Sequence, residues 1–193
     1  KKIIIVFVNN GMAELDWIMP VIQKLSKKYY IFTFFRNKKT FETLQKNKHL
    51  FMLWNKSNNS FFIEKKFDNF SFKLLKKLFN FFKVKRFDDF LNSKIHGNEY
   101  LRKIIKKKIN KEIFLEIIFS DFGESFSALD NLRSFNDNGK KPLIVNYPHT
   151  PIAYANEKNK KPIALQGDIL ILSRDKDKKY FSNCIKKSKI KIV

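Results

Sequence analysis

Runs of consecutive apolar residues alternate along this chain with segments whose apolar positions recur every three or four residues. Ile3-Ile-Ile-Val-Phe-Val8 is an unbroken β-branched and aromatic run, the pattern of a strand buried on both faces. Asn9-Asn10-Gly11 reads as a turn. Between Met12 and Lys28, Leu15, Ile18, Met19, Ile22 and Leu25 form a helical stripe. Pro20 is expected to kink that helix or to delay its start by a turn. Tyr29 to Phe35 is the second strand and completes a βαβ unit. Thr40 to Lys48 reads as a short helix, Leu50 to Trp54 as the third strand, and Asn55 to Ser60 as a polar loop.

The next stretch breaks the alternation. Phe67, Phe70, Leu74, Leu78, Phe81 and Phe82 fall on one helical face, with Lys73, Lys76, Lys77 and Lys83 largely off it. Glu99 to Lys111 is a second basic helix, with Leu101, Ile104, Ile105 and Ile109 as its apolar positions. Together they predict a helical insert at about residues 61–112. Strand pattern resumes at Ile113 to Ser120. Ser125 can cap a helix running to Phe135, which Asn136-Asp-Asn-Gly139 ends. Leu143 to Val145 is a strand expected to be buried on both faces, and Asp168 to Leu172 is the next. Ser173 is placed to cap a helix running to Lys187, and Ile190 to Val193 begins a last strand. The predicted fold is a single α/β domain over residues 1–193, a Rossmann-like doubly wound parallel sheet of about six or seven strands.

In an open parallel sheet, ligands bind beyond the carboxyl ends of the strands. His149 follows the strand at Leu143 and is clamped between Pro148 and Pro151, which makes it the leading candidate for chemistry; the alternative is a turn histidine that binds nothing. Asp121 and Glu124 follow Ser120, either as bases at the neighbouring strand end or as caps of the Ser125 helix. Asn10 and Gly11 occupy the first strand end, where the glycine permits close ligand approach. Ser173 and Arg174 occupy the fourth; Ser173 is an N-cap by type, and Arg174 could meet a phosphate there. No His, Cys and Asp cluster has zinc spacing. Asp175-Lys-Asp177 sits in the first turn of a predicted helix, where it offsets the dipole, so no metal site is expected.

Composition adjusts this picture in three places. Cys184 is the only cysteine, which excludes an intrachain disulfide and suits a reducing compartment. No apolar segment reaches the length of a membrane span. The formal net charge is +22, which invites an anionic partner. Lys, Asn, Ile and Phe are all abundant, however, and A+T-rich codons would raise all four without selection for binding. The basic residues are also spread along the whole chain, so nucleic acid is not the expected partner. The Phe67–Asn92 helix has two readings. It packs in the core, or it lies on an anionic membrane with Phe81 and Phe82 inserted and Lys76 and Lys77 at the headgroups.

The sequence of strand ends resembles a known arrangement. Strand, Gly11 and then Pro20 in the first helix look like the opening of GT-B glycosyltransferases. Ile118-Phe-Ser-Asp121, Pro142-Leu-Ile-Val-Asn-Tyr-Pro-His149 and Gly167-Asp168-Ile-Leu-Ile-Leu-Ser173 follow in order. This is similar to the amino-terminal, acceptor-side domain of those enzymes. It is nearest the group of CDP-glycerol glycerophosphotransferases, surface-polysaccharide transferases and UDP-N-acetylglucosamine 2-epimerase relatives. The chain lacks the histidine often found after the first glycine in that family, and Glu14 and Asp16 stand nearby instead. Asp175-Lys-Asp177 matches the D-x-D of GT-A enzymes only literally, because Ser173 and Arg174 separate it from the strand.

The resemblance implies a transferase of cell-envelope polymer biosynthesis, cytoplasmic or peripheral on the inner face of the cytoplasmic membrane. Its partners would be a glycan or lipid-linked acceptor and a nucleotide-sugar or CDP-glycerol donor. His149 would act as base toward an acceptor hydroxyl or would hold the donor phosphate. This domain would bind no cofactor alone, the donor nucleotide belonging to a second domain. The chain opens without Met and closes on a strand-like run, and reads as a piece of a longer protein that is inactive by itself. Two alternatives stand beside this reading: an epimerase acting on a nucleotide sugar, and a non-catalytic basic α/β module that binds nucleic acid.

Overall fold

The computed structural model describes residues 1–8, 12–35, 38–56, 59–63, 102–103, 105–107, 112–120, 132–147, 167–178 and 189–192. Seven strands form one sheet: β1 (Lys2–Val8), β2 (Tyr30–Phe35), β3 (Asn59–Ile63), β4 (Phe114–Ser120), β5 (Leu143–Asn146), β6 (Ile169–Leu172) and β7 (Ile190–Ile192). Their order is β3-β2-β1-β4-β5-β6-β7, and every neighbouring pair is parallel. The chain winds outward from β1 in one direction and then from β4 in the other, so the topology reverses between those two strands. This is the order of a Rossmann-like α/β fold, extended by one strand.

The apolar runs are continuous because both faces of the sheet are covered. Ile4, Val6 and Val8 enter one core with Leu15, Ile18 and Ile22 of α1 (Met12–Leu25), Leu44 of α2 (Lys38–Lys46) and Leu50 and Trp54 of α3 (Lys48–Lys56). Ile3, Ile5 and Phe7 enter the other, with Ile105, Leu132 and Phe135. Each such fully buried side chain contributes about 1.5–3 kcal/mol of transfer free energy. That outweighs the weak helix preference of its neighbours and makes β1 the spine of the domain.

Ile105 ties residues from the basic segment before β4 to this second core. Arg102 strengthens the attachment: its guanidinium lies 5.1 Å from the Phe135 ring centroid, donates to the Ser134 and Phe135 carbonyls and pairs with Asp137 at 3.0 Å. The Phe67–Asn92 segment lies outside the described residues.

Four local expectations are corrected. Leu50 to Trp54 is helix rather than strand. Leu50, Met52 and Trp54 satisfy the two-residue period of a strand, but only Leu50 and Trp54, four apart, are buried, while Met52 is 44% exposed. Asn47 sets this helix by accepting the Leu50 N–H at 3.0 Å, an N-cap geometry. The third strand is instead Asn59–Ile63, in a stretch read as polar loop and the start of the helical insert; its apolar half is only Phe61-Phe62-Ile63. Pro20 does not delay α1, which starts at Met12 and runs through it. Pro20 has no N–H to give the Asp16 carbonyl, and both residues are exposed, which puts the lost bond on the outer side of the helix. Finally, Leu143 is 37% exposed because it begins β5 at the amino edge, where covering elements thin out.

Candidate functional site

Parallel strands bring their carboxyl ends to one edge, and in open α/β sheets ligands bind at that edge where the strand order reverses, here between β1 and β4. Val6 pairs with Phe119 and Ser120 pairs with Asn146. The last residues of β1, β4 and β5 therefore lie side by side, with β1 and β5 separated by about 10 Å. Asn10 and Gly11 follow the end of β1, Asp121 and Glu124 follow Ser120, and His149 follows Asn146 by three residues. All five lie outside the described residues, as do Phe81, Phe82, Lys76 and Lys77. What the structure brings together is the set of strand ends from which the five edge residues depart.

These ends are built from buried neutral groups. Ser120 and Tyr147 are fully buried and Asn146 nearly so. The Tyr147 hydroxyl donates to the Phe7 carbonyl at 2.7 Å, reaching past β4 to β1. Its backbone N–H donates to the Ser120 carbonyl at 3.1 Å, which also receives Asn146 Nδ2 at 3.3 Å. The Tyr147 ring stacks on Trp17 of α1, with centroids 5.9 Å apart, and meets Phe119 edge-on. Alternation along the chain puts Tyr147 with Val145 on the α1 face and Asn146 on the other. There Gly167 approaches so closely that an added Cβ would stand 2.1 Å from Asn146 Oδ1 and 3.1 Å from the Ile144 carbonyl oxygen. Only glycine fits.

Beyond β6, Ser173 is exposed and does not cap the following helical turn. That turn is a 3₁₀ segment, Asp175–Asp177, preceded by Arg174 in extended conformation with no side-chain cap. Arg174 grips Asp177 through Nε to Oδ2 at 2.9 Å and Nη2 to Oδ1 at 3.1 Å. Asp177 is 1% exposed, and a carboxylate so buried needs such a partner. The acidic pair expected to offset a helix dipole is thus split: Asp177 is a buried anchor, while Asp175 pairs with Lys178. A phosphate at Arg174 would have to share the guanidinium with Asp177.

The opposite edge carries the strongest polar clusters. Asn136 acts as an extra strand: Oδ1 accepts the Leu115 N–H at 2.8 Å, and Nδ2 donates to the carbonyls of Leu115 at 2.8 Å and Lys140 at 2.7 Å. Asp168 accepts the Ile144 N–H at 2.9 Å and pairs with Arg133 through both oxygens at 3.1 Å. Glu116 pairs with Lys2 at 2.9 Å and accepts from the Tyr29 hydroxyl at 2.9 Å. Burial pushes the Glu116 carboxyl up, but hydrogen bonds from Lys2 and Tyr29 and the charges of Lys2 and Lys140 outweigh it and hold its pKa below the ordinary value. The hydrogen bond to Glu116 raises both Lys2 and Tyr29.

Sequence patterns did not single out Tyr147, Asn146 or Asn136 as functional or structural keys. Little local marks them, since apart from the bond from Asn136 to Lys140 their partners lie 21 to 140 residues away. Among the described residues, no cluster of three or more His, Cys, Asp or Glu could hold a metal ion, and no helix is long and apolar enough to cross a membrane. No protein-family model, no curated protein and no solved structure matches the chain.

Proposed function

We propose that this chain is the acceptor-side Rossmann-like domain of a GT-B-type glycosyltransferase or glycerophosphotransferase that assembles a cell-surface polymer. The observation that carries the reading is that β5, the strand that precedes Pro148 in the sequence, ends directly beside β4 on the carboxyl edge of the sheet, one strand from the reversal between β1 and β4. A ligand at that edge would lie within reach of several strand ends at once. In this reading His149 takes the proton of an acceptor hydroxyl as the oxygen attacks the sugar carbon or the glycerol-bearing phosphorus. The bond to the nucleotide breaks, and the nucleotide leaves with the electron pair. Imidazole titrates near neutral pH and suits that role, with Asp121 or Glu124 as the alternative base. The donor nucleotide is held by a companion domain.

The test is nucleotide release by the complete polypeptide from a panel of nucleotide sugars and CDP-glycerol, with lipid-linked glycans as acceptors. His149→Ala should lower kcat by roughly 10²–10⁴ and leave the thermal midpoint almost unchanged. Full activity in that variant would remove His149 from the mechanism. Absence of release from every donor would remove the transferase reading.

A further inference from the structure

We propose that the amino edge of the sheet is a binding surface for single-stranded nucleic acid. The basic residues are scattered along the sequence, but parallel strands all start at one edge, and the fold collects a row of lysines there. Lys27 and Lys28 precede β2, Lys1 and Lys2 open β1, Lys140 and Lys141 precede β5, and Lys189 precedes β7; all are exposed. From β2 to β7 the row crosses five strand spacings, about 24 Å. Most acids of this edge are engaged: Glu116 with Lys2, Asp168 with Arg133 and Asp137 with Arg102, which leaves Glu112. Charge alone would not choose a partner, since α2 and α3 also carry exposed lysines. The rings choose it. All three cation–π contacts among the described residues lie along the amino edge. Lys1 Nζ stands 4.2 Å from the Tyr30 ring centroid, Lys140 Nζ stands 5.5 Å from that of Phe114, and Arg102 lies over Phe135. Tyr30 and Phe114 are half-buried and open the two strands that flank β1. Lysines that track phosphates, interleaved with aromatic faces on which bases stack, suit a single strand; a duplex has its bases already stacked. A+T-rich codons account for how many lysines the chain has, not for their placement over rings. An anionic membrane would call for projecting apolar side chains, and among the described residues Leu143 is the one large apolar side chain exposed at this edge.

This surface lies opposite the candidate site and does not rest on the transferase reading; binding is read without turnover, so either conclusion can fail alone. The test is fluorescence anisotropy of the 193-residue chain with a labelled oligothymidylate of about 16 nucleotides. A Kd of roughly 10⁻⁴–10⁻⁶ M is expected at physiological salt, weakening as salt rises because binding releases counterions from the phosphates. Lys27→Gln with Lys28→Gln, and Lys140→Gln with Lys141→Gln, should each weaken binding and reduce the slope of log K against log salt by about 1.4, at about 0.7 per phosphate contact. Lys46→Gln with Lys48→Gln removes the same charge from α2 and α3 and should leave affinity and slope close to the parent. Phe114→Leu keeps apolar volume but removes the stacking face; it should weaken the single strand roughly 5–150-fold at an unchanged slope, with a parental circular dichroism spectrum and no change toward a duplex. Inorganic polyphosphate, which has the charge without the bases, should compete much less well per phosphate. No binding at about 50 mM salt would overturn the proposal, as would equal weakening by the Lys46 and Lys48 pair. Equal competition by polyphosphate, or a folded Phe114→Leu that binds like the parent, would reduce the edge to a surface for any anion. Vesicles rich in phosphatidylserine that bind through the same lysines while the oligonucleotide does not would assign the edge to a membrane instead. Should Phe114→Leu lose its folded spectrum, the polyphosphate competition decides the contribution of the bases without any substitution.

Discussion

Across β1, β4 and β5, the amino edge is held by ion pairs and one inserted amide, the carboxyl edge by neutral groups alone. At the amino edge Lys2 meets Glu116 and Arg133 meets Asp168, with the Asn136 amide inserted beside β4. At the carboxyl edge the ties are a phenol, a carboxamide and backbone carbonyls, all buried. Ion pairs near solvent contribute modestly and are screened by salt. Buried neutral bonds add little net energy while they are made, but leaving one partner unmatched is expensive. At the first edge the large stability cost should therefore fall on the Asn136 amide rather than on the ion pairs. At the second edge every tie is of the kind that is costly to leave unmatched, so loss of any one partner should be felt there.

The largest stability effect should come from the amino edge. Asn136→Ala leaves the buried N–H and C=O of Leu115 without that amide, and should cost about 3 kcal/mol in a urea titration. A loss below 1 kcal/mol, on the order of a single hydrogen bond, would mean that water replaces the amide and that the edge is not sealed. Gly167→Ala comes next. The new methyl must displace the Asn146 amide and press on the Ile144 carbonyl, an overpacking cost of about 1–3 kcal/mol. A neutral result would show that the contact between Gly167 and β5 gives way easily.

The smallest effect concerns pH. Glu116 has a lowered pKa in the fold, so its contribution is present above its unfolded value, near the ordinary 4.5, and is lost as pH falls through the folded value. Lys2 and Tyr29 have raised values, so their contributions are complete below their unfolded pKa values and are lost as pH rises through the folded ones. Glu116→Gln should flatten the thermal midpoint at both the acid and the alkaline end, and 0.5 M salt should do the same more weakly. A variant whose acid limb overlays the parent would take Glu116 out of the account.

Much of the fold was legible because burial on two faces writes itself as an apolar run, unbroken in β1 and interrupted only by Thr33 in β2 and Glu116 in β4. The helix at Leu50 was illegible because Leu50, Met52 and Trp54 fit a two-residue period as well as Leu50 and Trp54 fit a four-residue one. Only the cap from Asn47 and the exposure of Met52 decide between them. β3 was hidden for the opposite reason, since polar residues fill its first half. At the candidate site, strand ends are read from where apolar runs stop, so the shared edge could be anticipated. The tie from Tyr147 to Phe7 spans 140 residues and leaves no local trace. Ser173 misled because its residue type favours capping, whereas the Arg174–Asp177 pair sets the turn.

The separation of stability at Asn136 from chemistry at His149 is tested most directly by measuring the proposed nucleotide release, as kcat, and the thermal midpoint of His149→Ala and Asn136→Ala side by side. The account predicts that His149→Ala loses turnover at an unchanged midpoint, while Asn136→Ala loses several degrees at an unchanged kcat per folded molecule. The reverse pattern, with Asn136→Ala inactive though folded and His149→Ala active but destabilised, would contradict it.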